Sequence, residues 1–371
     1  MERSSSCFVV VVLATLMSVG LAGQSATAPP SKSPLGPASA PQLIPAPAPA
    51  TDRPYAPQAI LPGGVVVTLF PADSALLNKA RINEAEVYNM AAGVPGRVAS
   101  IVNIHNPSIE FHRVPASLNT GAAVIVVAGG GHNTLNVGSE GADFVPFFYN
   151  YGVNTIILRY RLRRDGYNSQ VDAVNDMLQA IKVVRAYAED WGLDPKKIGA
   201  IGFSAGAELT APAALTYADF DTRHDTAGNP LSKISSRPDF VGMIYPGPSP
   251  FRGGATVPIP DGAPPAFIAS GGVGDAVHAV WADEFFAAFL RARIPNLEMH
   301  IYANGVHPGQ PIPEGGTMSG GLTDRNGIPF GTWQFRFIDW LRDLGFLQKP
   351  GVETKAARDV AVRAAHPPSS R

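Results

Sequence analysis

A serine hydroxyl attacks a carbonyl only when an imidazole takes its proton and a carboxylate holds that imidazole in the right tautomer. This chain carries all three residue types where apolar runs give way to loops. Ser204 stands at the apex of Gly202-Phe203-Ser204-Ala205-Gly206. The apolar run Ile198–Phe203 precedes it, and a helix-like stretch, Ala205–Leu215, follows. A strand, a sharp turn and a helix in that order strain the serine backbone and lift its hydroxyl above the sheet edge. The flanking glycines let neighbouring elements approach closely. The same turn aims the N–H of Ala205 at the place where an oxyanion would form.

The base and the acid are found by position. In a doubly wound sheet such groups sit in loops at the carboxyl ends of strands. Of the 8 histidines, His105 and His112 lie before the glycine loop described below, and His224 lies in a polar excursion. His300 falls within a strand, and His366 falls in the tail. His307 alone follows the last strand, in Ala303-Asn304-Gly305-Val306-His307, and is the expected base. His278 is its rival, but it lies just before a helix and on the strand that should supply the acid. Asp275 follows the strand Ala266–Ala269 and is the expected acid. The same place suits a helix N-terminal aspartate, and the two readings stand together. Asp261 is the weaker alternative, because it precedes the strand. The chain order Ser204, Asp275, His307 is the one this topology requires. Gly129-Gly130-Gly131 follows the fully apolar run Ala122–Val127. The N–H groups of Gly130 and Gly131, with that of Ala205, are the expected oxyanion donors. A plain tight turn is the alternative. A phosphate loop is weaker, since neither G-K-[ST] nor G-x-G-x-x-G is present.

The elements that must position these groups alternate. Strands are expected at Val65–Phe70, Ile101–Asn103, Ile109–His112, Ala122–Val127, Asn154–Tyr160, Ile198–Phe203, Phe240–Tyr245, Ala266–Ala269 and Leu297–Tyr302. Helices are expected at Glu140–Tyr151, Val171–Trp191, Ala205–Leu215, Val280–Arg291 and about Thr332–Leu344. In Val171–Trp191 the residues Met177, Ile181, Val184 and Tyr187 recur at helical spacing. Alternating βα units imply an α/β fold with a mostly parallel sheet and helices on both faces.

The chain has 371 residues, with 29 Lys plus Arg against 30 Asp plus Glu. No basic stripe points to nucleic acid or to an anionic membrane surface. Arg3 precedes the apolar run Cys7–Val19, and small residues follow, a pattern that predicts a signal peptide over 1–22. The run is shorter than the ~20 residues of a spanning helix, so cleavage and a secreted or periplasmic location are expected, without stable membrane insertion. The single cysteine, Cys7, lies inside that segment, so no disulfide is expected. Residues 23–62 read as a Pro/Ala-rich linker, 63–349 as one catalytic domain and 350–371 as a polar tail. No metal cluster or nucleotide motif appears, and no cofactor is expected.

Several of these stretches, taken in order, resemble the α/β-hydrolase esterases, and more narrowly the acetyl-xylan-esterase and bacterial feruloyl-esterase-like group. They are Gly129-Gly130-Gly131-His132, Glu140-Gly141, Arg159-Tyr160-Arg161-Leu162 and Gly202-Phe203-Ser204-Ala205-Gly206. The resemblance covers roughly Gly121 to His307. It implies the α/β-hydrolase fold and a serine esterase acting on acetyl or feruloyl esters of plant polysaccharides or oligosaccharides. A peptidase, a general short-chain carboxylesterase or lipase, and an inactive binding module are the alternatives. Three positions depart from the group's pattern. His132 replaces an aromatic, Ala207-Glu208 replaces Gly-His, and Val306-His307-Pro308 replaces Gly-His-Gly. His132, Glu208 and His278 are expected substrate contacts, and Glu140 with Arg161 is either a buried pair that props the site or a plain surface pair. Loops 219–238 and 308–328 are expected to shape specificity.

Overall fold

The structure, a computed structural model, describes residues 30–43, 53–303, 305–311, 317–318, 320–323 and 332–367. The expected signal peptide, 1–22, lies outside them. Among the described residues ten strands are formed: β1 Val65–Thr68, β2 Val87–Met90, β3 Val98–Val102, β4 Ser108–His112, β5 Ala123–Val127, β6 Asn154–Arg159, β7 Ile198–Phe203, β8 Val241–Ile244, β9 Ala266–Gly271 and β10 Glu298–Tyr302. Eight of them make one sheet in the order β1-β4-β6-β5-β7-β8-β9-β10, while β2 and β3 pair separately. From β6 to β10 every pairing is parallel. The antiparallel pairings are β1 with β4 and β4 with β6.

The central strands are buried along their whole length, as a sheet covered on both faces demands. Alternate residues of β5 serve opposite layers. Ile125 and Val127 pack with Met177, Ile181 and Leu209. Val124 and Val126 pack on the other side with Phe144, Phe148, Trp333 and Phe337. The helices are α1 Phe144–Tyr149, α2 Val174–Ala186, α3 Ala188–Trp191, α4 Ala207–Arg223, α5 Ala276–Arg291, α6 Trp333–Asp343 and α7 Lys355–Ala365. Helices α2 and α4 cover one face, and α1 and α6 cover the other. This is the doubly wound α/β arrangement expected from the alternation of elements.

The differences are local. The helix expected over Glu140–Tyr151 is a wide turn at 138–142 followed by α1. The stretch Val171–Trp191 divides at Tyr187, whose backbone leaves helical geometry. Residues 219–223, expected as loop, extend α4.

Two terminal expectations need correction. The compact unit takes in described residues from Ser31 onward, so its described start is not at 63. Within the expected spacer, Tyr55 and Ile60 are buried. Buried Glu110 explains why the chain runs there: it accepts the N–H groups of Ile60 (2.8 Å) and Leu61 (3.2 Å). Arg159, also buried, donates to Gln58 O (2.5 Å) and to Glu110 (2.7 Å). The tail does not fray over its described part. Thr354 Oγ1 accepts the N–H of Ala357 at 3.0 Å and starts α7, which buries Ala356 and Val360.

Candidate active site

Ser204 follows β7 directly and holds a left-handed backbone, φ +50°. A residue with a Cβ rarely adopts this conformation, and here the turn enforces it. Gly206 lies so close to β5 that a Cβ would come within 2.0 Å of Val127 O. The elbow therefore needs glycine at that position. The carbonyl of Ser204 accepts the N–H of Gly247 at 3.1 Å, which ties the elbow to the loop after β8. Ala205 and Gly206 lead into α4, so unpaired N–H groups and the positive end of a helix dipole collect at Ser204.

The three expected residues come together at this edge of the sheet. Ser204 Oγ lies 3.0 Å from His307 Nε2. His307 Nδ1 lies 3.0 Å from Asp275 Oδ2. Parallel pairing of β9 with β10 puts Gly271 beside Tyr302, so the loops that follow start side by side. They are then stitched together by Gly272 N–H to Tyr302 O (3.1 Å) and Val273 N–H to Ala303 O (3.1 Å). Asp275 precedes α5, yet its carboxylate makes no capping bond. It turns instead to the imidazoles. Burial raises its pKa, but hydrogen bonds from His278 and His307 outweigh that and hold it below the ordinary aspartate value. The Val306-His307-Pro308 departure does not pull the ring away from Ser204. Tyr245 supports it edge-on, with ring centres 5.2 Å apart.

The glycine loop coils through three left-handed residues: Gly130 (φ +128°), Gly131 (φ +62°) and His132 (φ +58°). A Cβ on Gly130 would lie 2.3 Å from Thr134 O. The N–H of Gly129 is engaged, donating to Glu140 Oε2 at 2.7 Å. That bond takes Gly129 N–H away from the space beside Ser204.

Glu140 is fully buried but does not pair with Arg161. Arg161 has a closer carboxylate on α2 and binds Asp176 through Nη2 at 2.7 Å. Glu140 accepts Gly129 N–H and the Tyr245 hydroxyl (2.7 Å), and that hydroxyl accepts Gly321 N–H at 2.8 Å. Burial pushes the Glu140 pKa up to about 7 against those two bonds. Tyr245 was missed by sequence reasoning. It lies at the end of an apolar strand, and nothing local marks its contacts with both Glu140 and His307.

The expected substrate contacts are placed differently from one another. His132 is buried under the loop, edge-on to Tyr160. Its Nε2 lies 3.4 Å from Glu208 Oε2, and Glu208 is partly exposed in the first turn of α4. His278 turns inward: Nδ1 lies 2.5 Å from Asp275 Oδ1, and its ring stacks on that of His307 at 3.8 Å and 13°. Four of the other histidines have partners elsewhere. His105 meets Tyr167, His112 meets Glu110, His224 meets Phe220 O and His300 meets Glu298. Asp261, the weaker candidate acid, lies against Arg363.

Donor atoms of Asp275, His278 and His307 lie within 4.8 Å of one another, close enough to suggest a metal site. Ring geometry opposes that reading. An ion binds imidazole nitrogen in the ring plane at about 2 Å, and one ion cannot lie in two stacked, near-parallel planes. The arrangement is a carboxylate shared by two imidazoles. A separate cavity of about 570 Å³, lined by Leu35, Phe70, Tyr187 and His224 among others, contains none of these groups.

A central sheet of this order, with a serine elbow after the strand in mid-sheet, defines the α/β-hydrolase fold. The chain has that fold. Residues 113–244, from just after β4 to the end of β8, match the family model BD-FAE. Asp275 and His307 lie beyond the end of that match. The chain is 27% identical over 127 residues to the acetylxylan esterase of Xylanibacter ruminicola, a stretch covering 34% of this chain and 23% of that protein. It therefore spans about a quarter of that relative's length. Among solved structures it resembles the acetyl ester-xyloside bifunctional hydrolase from Caldicellulosiruptor lactoaceticus. The TM-score is 0.57 at 20% identity, covering 76% of this chain and 96% of that one. Thermogutta terrifontis esterase 2, phosphoramylated by tabun, gives a TM-score of 0.52 at 20% identity, covering 70% and 94%. At these identities the structural likeness establishes the fold.

Proposed function

We propose that this chain is a serine esterase, with Ser204 as nucleophile, His307 as general base and acid, and Asp275 as the group that orients His307. The observation that carries the reading is the unbroken chain from Ser204 Oγ to His307 Nε2 and from His307 Nδ1 to Asp275, with 3.0 Å at each step. The Ser204 hydroxyl oxygen bonds to the ester carbonyl carbon as its proton passes to His307 Nε2. Asp275 stabilises the imidazolium that forms. The N–H groups of Gly130, Gly131 and Ala205 receive the oxyanion, each worth on the order of 10²-fold in rate. The proton then moves from Nε2 to the departing alcohol oxygen, which leaves an acyl-serine. Water, deprotonated by the same imidazole, releases the acid and restores Ser204.

The substrates proposed are acetyl, or feruloyl, esters on plant polysaccharides or oligosaccharides, reached after export through the segment 1–22. The likeness to proteins described as acting on acetylxylan and acetyl ester-xylosides supports that class. Replacing Ser204 with Ala should abolish turnover of p-nitrophenyl acetate, and undiminished turnover would overturn the reading. Incubation with acetylated and with feruloylated xylan, followed by identification of the acid released, separates the two acyl groups.

A further inference from the structure

Asp275 serves two imidazoles, not one. Its Oδ2 takes His307 and its Oδ1 takes His278, at 3.0 and 2.5 Å. The two rings lie face to face, 3.8 Å apart and 13° from parallel. Asp275 is buried, and both histidine side chains are about one-fifth exposed. The triad needs only one of these rings. We propose that His278 is a positioning residue of this site: a second imidazole that holds Asp275 and His307 in register while neutral, and stops turnover when it takes a proton. The inference rests on the esterase reading above.

The positioning follows from geometry. A carboxylate held by one bond rotates about Cβ–Cγ, and its second buried oxygen lacks a donor. His278 supplies that donor and fixes Oδ2 on His307. The stacked ring limits tilting of His307, so Nε2 stays in line with Ser204 Oγ. The switching follows from charge. As Ser204 Oγ bonds to the carbonyl carbon, its proton makes His307 a cation, and the single negative charge of Asp275 balances it. A proton already on His278 would set a second cation against the first, with one carboxylate between them. A proton on either ring is therefore unproductive: on His307 it occupies the base, and on His278 it takes up the charge of Asp275. The groups facing the His278 ring are Asp275 from the turn after β9, His307 from the loop after β10, and uncharged Trp281 on its own helix. The Arg252 guanidinium lies 6.0 Å from the centre of the Trp281 ring.

Two variants separate the parts. His278→Gln keeps an N–H donor but cannot titrate, and His278→Phe keeps a ring but has neither property. With p-nitrophenyl acetate, the acid limb of kcat/KM should move to lower pH in both, by about 0.3 for two equivalent sites, since one of two protonation sites is gone. In addition, His278→Phe should lose about tenfold in plateau kcat with little change in KM, and His278→Gln should recover most of it. Acid limbs that superimpose on wild type, or an effect on KM alone, would overturn the proposal. The second outcome would return His278 to the role of a substrate contact. Should either variant fail to fold, histidine ring-proton NMR of the wild-type chain decides the matter. Mutually displaced, two-step titrations are expected, and two independent single-step curves would refute coupling. If Ser204→Ala retains turnover, the esterase reading itself has failed. If Ser204→Ala is dead and the His278 variants match wild type, only this inference falls.

Discussion

Ser204 carries a left-handed backbone that alanine would retain at a cost and glycine would not. Both Ser204→Ala and Ser204→Gly should be inactive. The glycine variant should be the more stable of the two by about 1 kcal/mol, read from urea midpoints. Equal stabilities would show that the elbow is not strained. Glu140 gives a second residue-scale test. Its folded pKa is about 7 against an ordinary 4.5. Below 4.5 both folded and unfolded chains hold the proton. Between the two values the folded chain keeps a proton that the unfolded chain has shed, so stability falls as pH rises. Above 7 the full penalty applies, on the order of 3 kcal/mol. Glu140→Gln should therefore gain on wild type as pH rises from about 4 to about 8, by denaturant midpoints at each pH. A constant gap would contradict the burial account. At this scale the meeting of Ser204, Asp275 and His307 was legible because each lies in the segment that follows a strand. The sharing of Asp275 was not, because it depends on how two loops distant in sequence fold onto each other. The Glu140–Arg161 pair was misjudged because Asp176, 15 residues beyond Arg161, is the nearer carboxylate in space.

Long apolar runs such as β5 and β7 can be read from sequence because burial on both faces leaves few other uses for them. Helix α7 hides for the opposite reason. Its buried face is made of Ala356 and Val360, too small and too few to stand out among charged neighbours. Its start is fixed by one side chain. Thr354→Ala removes the bond to Ala357 N–H and should lower stability by about 1 kcal/mol, without changing kcat. A thermal midpoint equal to wild type would mean that the cap contributes nothing. The spacer reading of 23–62 failed in its described parts because Pro and Ala conceal buried anchors. Tyr55 and Ile60 are spaced too widely to show a period.

At the scale of the whole molecule, one parallel sheet gathers the ends of β5, β7, β9 and β10, and the loops after them carry every residue of the proposed site. The described segment that begins the compact unit at Ser31 is held to α3 through one carboxylate. Asp190 accepts the Ser31 hydroxyl (2.5 Å) and the N–H groups of Lys32 (2.8 Å) and Ser33 (3.3 Å). Asp190→Ala should speed amide exchange at Lys32 and Ser33 and leave turnover intact. Unchanged exchange would show that other contacts hold the segment. The central claim is that one serine, activated by one imidazole, does the chemistry. Treating the wild-type protein with a fluorophosphonate, then weighing the intact chain and mapping the adduct, tests it most directly. The account predicts one adduct per chain, on Ser204, and none on Ser204→Ala. A protein that stays unlabelled, or an adduct on any other residue, would contradict it.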